Sequence, residues 1–196
     1  MARKIVAANP RSGRDIDASA NRININFQPI TLKQPAPFNV ESFFEFDLEN
    51  ISGVKPDYGN LPYGIYGITD SEKMTCVISS EMMDDPFQMK FARSTIAHEI
   101  AHVLTHVPEF RKKRAILRSI HDNDHMSLRL HREENVPIYR NPEWQAWRYA
   151  GALLMPESTF RTAVKDGANE GDLSELFQVN RAFVRTRARA LKINIL

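Results

Sequence analysis

His98-Glu99-Ile100-Ala101-His102 is the stretch that decides how this chain reads. It is flanked by Ala97 and by Val103-Leu104, so the surrounding segment is apolar enough to be a buried helix. Residues four apart on a helix lie one turn apart on one face, so both imidazoles can reach a single metal ion. Glu99 leans toward the same side, where it can act as general base on a zinc-bound water. Zinc brings the pKa of such a water near 7, within reach of a carboxylate base. The plain alternative is a pair of core histidines satisfied by carbonyl groups, since buried imidazoles need polar partners in any case.

The helix that carries the motif starts at Asp85-Pro86, an acidic cap followed by a proline at the first helical position. Pro108 is expected to stop it after His106. Upstream, Tyr63–Thr69 and Met74–Ser79 are two β-prone runs separated by Asp70-Ser71-Glu72-Lys73, which predicts a hairpin. The second run is the one expected to receive an extended substrate by strand addition, and Cys76 within it reads as a small hydrophobe. Gly53, Pro56, Gly59 and Pro62 predict a loop over 53–62, and Asn39 caps a short helix over 39–51. Residues 1–40, rich in proline and asparagine, read as an irregular segment with one short strand at Ile23, Ile25 and Phe27.

Downstream, residues 109–132 are charged and helical in part. Asn141-Pro142 opens a second apolar helix carrying Trp144, Trp147, Ala150, Leu153 and Leu154 before Pro156. A shorter helix follows near Glu157–Lys165 and ends at Gly167, and residues 172–192 give two more, broken near Val179-Asn180.

A catalytic zinc takes three protein ligands and keeps one position open. His106 is a further turn along and displaced from a metal held by His98 and His102. A metzincin third histidine would fall at position 108, which is proline, so that class is excluded. Glu133 and Glu134 lie in a polar stretch without apolar anchoring. Glu143 tops the buried face of the second apolar helix; its ordinary role there would be an acid favoured by the helix dipole. Spacing leaves the third ligand open.

The chain has 196 residues, 42% hydrophobic and 26% charged, with net charge +2. That is ordinary for a globular protein long enough to bury a core without staples. Its single cysteine excludes an intramolecular disulfide and fits a reducing compartment. No apolar run reaches the roughly 18 residues of a membrane span, and Ile5–Ala8 is too short for a signal peptide, so a cytoplasmic location is expected. Charge is uneven: residues 1–110 carry 10 Lys/Arg and 14 Asp/Glu, and residues 111–196 carry 16 and 10. A basic second half can meet an acidic partner or nucleic acid, or simply form a solvated face.

Two blocks carry a family resemblance. Residues 91–106, from Phe91 through His98-Glu99-Ile100-Ala101-His102 to His106, resemble the R-x-x-F-T-x-A-H-E-x-G-H-x-x-x-H stretch of the ImmA/IrrE-type metallo-endopeptidases. Residues 143–156, Glu143-Trp144-Gln145-Ala146 through Leu153-Leu154-Met155-Pro156, resemble that family's E-x-E-A-x-x-F-A-x-x-L-L-M-P. The resemblance implies a zinc ion bound by His98, His102 and Glu143, with Glu99 as catalytic base. The family block has glutamate at its first and third positions; here the third is Gln145, which leaves Glu143. Ala101, Ser94 and Tyr149 depart from the pattern at positions that concern packing, and residues 107–140 form a long insert. The resemblance further implies a zincin-like α+β fold, with a short antiparallel sheet packed on the metal helix and a mostly helical C-terminal half. The boundaries expected are an N-terminal segment over 1–40 and a metallopeptidase domain over 41–196.

Members of that family commonly cleave or inactivate a helix-turn-helix repressor, so the partner expected is a protein substrate of that kind. The alternative is a non-catalytic zinc-containing regulatory module that binds a repressor or DNA through the basic second half. Residues 157–196 resemble a helix-turn-helix, with Arg181, Arg185, Arg187 and Arg189 able to face phosphates. His121, His125, His131 and Tyr139 are the candidates to stabilise an oxyanion, and His121 and His125, spaced four apart, could form a second metal site.

Overall fold

The computed structural model describes residues 3–121 and 128–195. Strand β1 (Lys4–Val6) comes first, followed by helix α1 (Gly13–Phe27). Ser12 starts α1 with a reciprocal capping box. Its hydroxyl accepts from the Asp15 N–H, and the Asp15 carboxylate accepts from the Ser12 N–H. The segment expected to be irregular therefore holds a 15-residue helix, and the alternation at Ile23, Ile25 and Phe27 is not a strand. Its true period is helical: Ile16, Ala20 and Asn24 are buried on one stripe, while Ile25 is exposed.

The helical stretch after Asn39 runs as α2 (Val40–Ser42), a π-helical turn over Phe43–Asp47, and α3 (Leu48–Ser52), with Asn39 accepting from the Ser42 N–H as its cap. Three strands follow: β2 (Lys55–Gly59), β3 (Gly67–Asp70) and β4 (Thr75–Ser79). The predicted hairpin is β3–β4, antiparallel, with Ile68 opposite Val77. The predicted loop over 53–62 is instead partly strand, because β2 pairs with β4 in parallel, Pro56 opposite Cys76. The sheet order β2-β4-β3 makes it mixed and leaves β2 and β3 as edges. As an edge, β2 can accommodate Pro56, whose missing N–H breaks no interior ladder. The strand expected to accept a substrate, β4, has both sides paired; of the two edges, β3 is the one packed on the motif helix.

Helix α4 (Ser80–Asp84) leads to a 3-10 turn at Pro86–Gln88, capped by Asp85, and then to α5 (Met89–Ala101), which carries the motif. Pro108 does not end the helix. A π-helical turn over His102–His106, with the Val107 N–H on the His102 carbonyl, passes into α6 (Val107–His121). Proline in a regular α-helix clashes with the carbonyl four residues back; the wider turn ahead of Pro108 relaxes that clash. Strand β5 (Leu130–Arg132) then pairs antiparallel with β1, His131 opposite Ile5.

The C-terminal half is helical as expected: α7 (Pro142–Leu154), α8 (Glu157–Lys165), α9 (Glu170–Phe177) and α10 (Arg181–Leu191). Asn141 caps α7 through the Glu143 and Trp144 N–H groups. Helix α7 is central, with α1 and α5 packed along it. Ala146, Ala150, Leu153 and Leu154 are fully buried there, and each large one contributes about 1.5–3 kcal/mol by leaving water. Two polar ties cross this core. Asn24 of α1 donates to the Leu153 carbonyl and accepts from Thr31. Asp17 of α1 takes Arg148 of α7 at 2.7 Å and Arg187 of α10 at 3.2 Å. Arg187 is 2% exposed and also donates to the Met155 carbonyl. It is a core strut and does not face phosphates; Arg185 is paired with Glu170.

Candidate metal centre

The motif histidines sit where α5 passes into the π-helical turn, and Glu143 approaches from the first turn of α7. His98 Nε2 and His102 Nε2 are 3.1 Å apart. Glu143 Oε2 lies 3.5 Å from His98 Nε2, and its Oε1 lies 3.6 Å from His102 Nε2. Tetrahedral zinc with donors at about 2.0–2.1 Å requires donor atoms about 3.3 Å from one another, so the three side chains are spaced as such a site demands. Two imidazoles and a carboxylate are also the donor chemistry zinc prefers at a catalytic centre. Among the described residues this is the one group of three potential ligands within mutual reach. His98 Nδ1 is buried without a hydrogen-bond partner.

Electrostatics favour the deprotonated forms of His102 and Glu143. Burial, with the neighbouring His106 and His98 fields, holds His102 well below the ordinary histidine value. Burial alone would raise the Glu143 carboxyl, but hydrogen bonding to His98, the nearby His102 ring and the Arg3 guanidinium bring it down to about 2. Arg3 Nη2 lies 3.3 Å from Glu143 Oε1.

Glu99 is held on the sheet side of the metal helix. Thr69 of β3 donates its hydroxyl to Glu99 Oε2 at 2.6 Å. Burial raises the Glu99 pKa, partly offset by that hydrogen bond and by His98. Gly67 makes the approach possible: a Cβ there would sit 2.6 Å from Glu99 Cγ. Neither Thr69 nor Gly67 stood out as a site residue in the sequence. The available signal was a glycine inside a β-prone run, which marks close approach by another group.

The far side of the histidine pair is closed. His106 Nδ1 lies 3.0 Å from His102 Nδ1, and His106 Nε2 lies 3.0 Å from Gln145 Oε1. His106 thus packs against the Nδ1 edge of the His102 ring, and burial pushes its pKa down to about 4. The Trp147 ring lies 4.2 Å from the His98 ring and walls that flank. In front of the trio is a cleft of about 480 Å³, bounded by β1 on one side and by β3 on the other.

The other sequence candidates lie elsewhere. Glu133 accepts from Asn141, and Glu134 pairs with Arg132. His131 and Tyr139 do not line the cleft. His125 and the side chain of His121 fall outside the described residues, so the second metal cluster does too.

The family model for the IrrE N-terminal-like domain, Peptidase_M78, matches residues 90–189, a span that includes both blocks and all three clustered side chains. The chain belongs to this family. It therefore carries a metallopeptidase-type domain. No curated protein matches the chain. Among solved structures, a Mycobacterium tuberculosis transcriptional regulator superposes with a TM-score of 0.57 at 16% identity. The match covers 89% of this chain and 46% of that one, so this chain spans less than half the length of its structural neighbour and shares its fold.

Proposed function

We propose that this family member is a zinc-dependent endopeptidase acting in the cytoplasm on a protein regulator, such as a helix-turn-helix repressor. The observation that carries the reading is the placement of Glu99 beside the ligand trio. Thr69 orients it, and the cleft opens in front of it. A purely structural metal site has no use for such a base. His98, His102 and Glu143 would hold the ion, which supplies Lewis acidity toward a peptide carbonyl.

The chain's own residues account for the remaining steps. The β3 edge offers unpaired backbone groups to an extended substrate, which lays the scissile peptide across the cleft beside Glu99. Glu99 takes a proton from the attacking water and returns it to the leaving amine. Burial around Glu99, which raises its pKa, suits it to both transfers.

The rival reading is a non-catalytic zinc-containing regulatory module that binds a repressor or DNA through the basic second half; the burial of Arg187 and the pairing of Arg185 weaken its DNA-binding form. The repressor substrate is supported by the family resemblance alone. The test is metal content with activity on candidate repressors. The expected result is about one zinc per chain, lost in His98→Ala and Glu143→Ala, with Glu99→Gln retaining zinc while losing on the order of 10²–10⁴ in cleavage rate. Full cleavage by Glu99→Gln, or a wild-type chain without zinc, would refute it.

A further inference from the structure

Gln145 is buried in the second turn of α7, and its hydrogen bonds have a single consistent polarity. Its amide nitrogen lies 2.9 Å from the Asn9 carbonyl and 2.8 Å from the Tyr139 carbonyl. Both are backbone oxygens, which only accept, so the NH2 group must face them. Reversing the amide would set its oxygen against two carbonyls and take the side-chain donor from both, leaving the Tyr139 oxygen with the Arg11 N–H alone.

The amide oxygen therefore faces His106 Nε2 at 3.0 Å, and it too only accepts, so His106 Nε2 carries a proton. The neutral ring then has its lone pair on Nδ1, 3.0 Å from His102 Nδ1. With His106 neutral, the one proton that fills that contact belongs to His102. The His102 ring is left with a bare Nε2, 3.1 Å from His98 Nε2 and 3.6 Å from Glu143 Oε1.

We infer that Gln145 is a positioning residue: acting through His106, it fixes His102 in the Nδ1–H tautomer and so points a metal-ready Nε2 lone pair at His98 and Glu143. The inference rests on the metal-centre reading above for its purpose, but not for its hydrogen-bond logic. It also gives a role to the amide at the position where the resemblance block has glutamate. A carboxylate there has no donor for the Asn9 and Tyr139 carbonyls. Outer partners that orient ligating histidines commonly change metal affinity by about tenfold to a hundredfold when removed.

The test uses the full chain. Long-range proton–nitrogen spectra of the metal-free protein, with the His102 ring assigned by its loss in His102→Ala, report the tautomer directly. The expected result is Nδ1–H for His102 in the wild type. In Gln145→Met, which keeps the shape but not the polarity, mixed tautomers and a zinc Kd weaker by about tenfold to a hundredfold are expected. An Nε2–H ring in the wild type overturns the inference. So does a folded Gln145→Met that keeps both the tautomer and the zinc affinity. If Gln145→Met does not fold, the wild-type spectrum still decides. If the wild type binds no zinc, the metal-centre reading falls, while the spectrum rules on Gln145 separately.

Discussion

Thr69 donates its hydroxyl to Glu99 at 2.6 Å, so the edge strand β3 and the metal helix α5 meet on a single carboxylate. On the proposed function, the base would thereby be oriented by the same strand that offers an edge to substrate, coupling strand position to proton transfer.

Substitutions on β3 should separate catalysis from metal binding. Gly67→Val would drive a side chain into Glu99, whose Cγ would lie 2.6 Å from the new Cβ. We expect a stability loss of about 1–3 kcal/mol from the overpacking and a large loss of cleavage. Thr69→Val removes only the hydrogen bond and should lower kcat about tenfold or more with KM little changed. Zinc content should be near wild type in both. Zinc loss in Thr69→Val would mean that Thr69 supports the ligands, not the base.

Zinc should stabilise the fold, because the unfolded chain cannot assemble the trio. At a free concentration of 100 Kd the gain is about 2.7 kcal/mol, which for this size raises Tm by about 5–10 °C. Chelation should reverse the shift. His98→Ala should show none. A zinc-dependent shift of equal size in His98→Ala would place the binding elsewhere.

Asp17 binds two arginines inside the core, so its loss should be far costlier than loss of a surface pair. Asp17→Ala leaves Arg187, 2% exposed, without its counter-charge and should cost about 3–5 kcal/mol. Arg185→Ala breaks a partly exposed pair with Glu170 and should cost about 1 kcal/mol or less. Denaturant unfolding of the two variants makes the comparison. Equal effects would refute the strut role of the Asp17–Arg187 pair.

Cys76 should be inert in the native state. It is fully buried on β4, and burial pushes its thiol up to about 12, so almost no thiolate exists near neutral pH. A chromogenic disulfide reagent should report one thiol only after unfolding. Rapid native labelling would show that β4 opens readily.

The features legible in the sequence are those encoded locally. Asn141-Pro142 announces the start of α7 because cap and first-turn chemistry involve only neighbouring residues. The i, i+4 spacing of His98 and His102 likewise carries its geometry with it. Helix α1 was hidden for the opposite reason. Its buried stripe includes Asp17 and Asn24, whose partners Arg148, Arg187, Thr31 and Leu153 lie far along the chain or in the next turn, so the apolar period looked broken. Strand β2 was read as a loop because Pro56 and Gly59 are turn formers unless a partner strand makes them an edge. Glu143 stands beside the histidines. Gly67 and Thr69 acquire their roles from contacts across 30 or more residues, and Gln145 acquires its role chiefly from His106 and Asn9, which spacing along the chain does not reveal.

The π-helical turn at His102–His106 has a consequence for the phase of everything after it. It is equivalent to one extra residue inserted in a continuous helix, and one residue is about 100° of rotation. Helix α6 is thereby turned so that Arg111 reaches the Ser71 carbonyl and Arg114 reaches Glu72, both on the turn joining β3 to β4. A homologue one residue shorter in this turn would keep its histidine pair yet swing those arginines round the helix axis, freeing the tip of the hairpin that steadies Glu99. Insertions and deletions here should therefore behave as changes of angle and not of length.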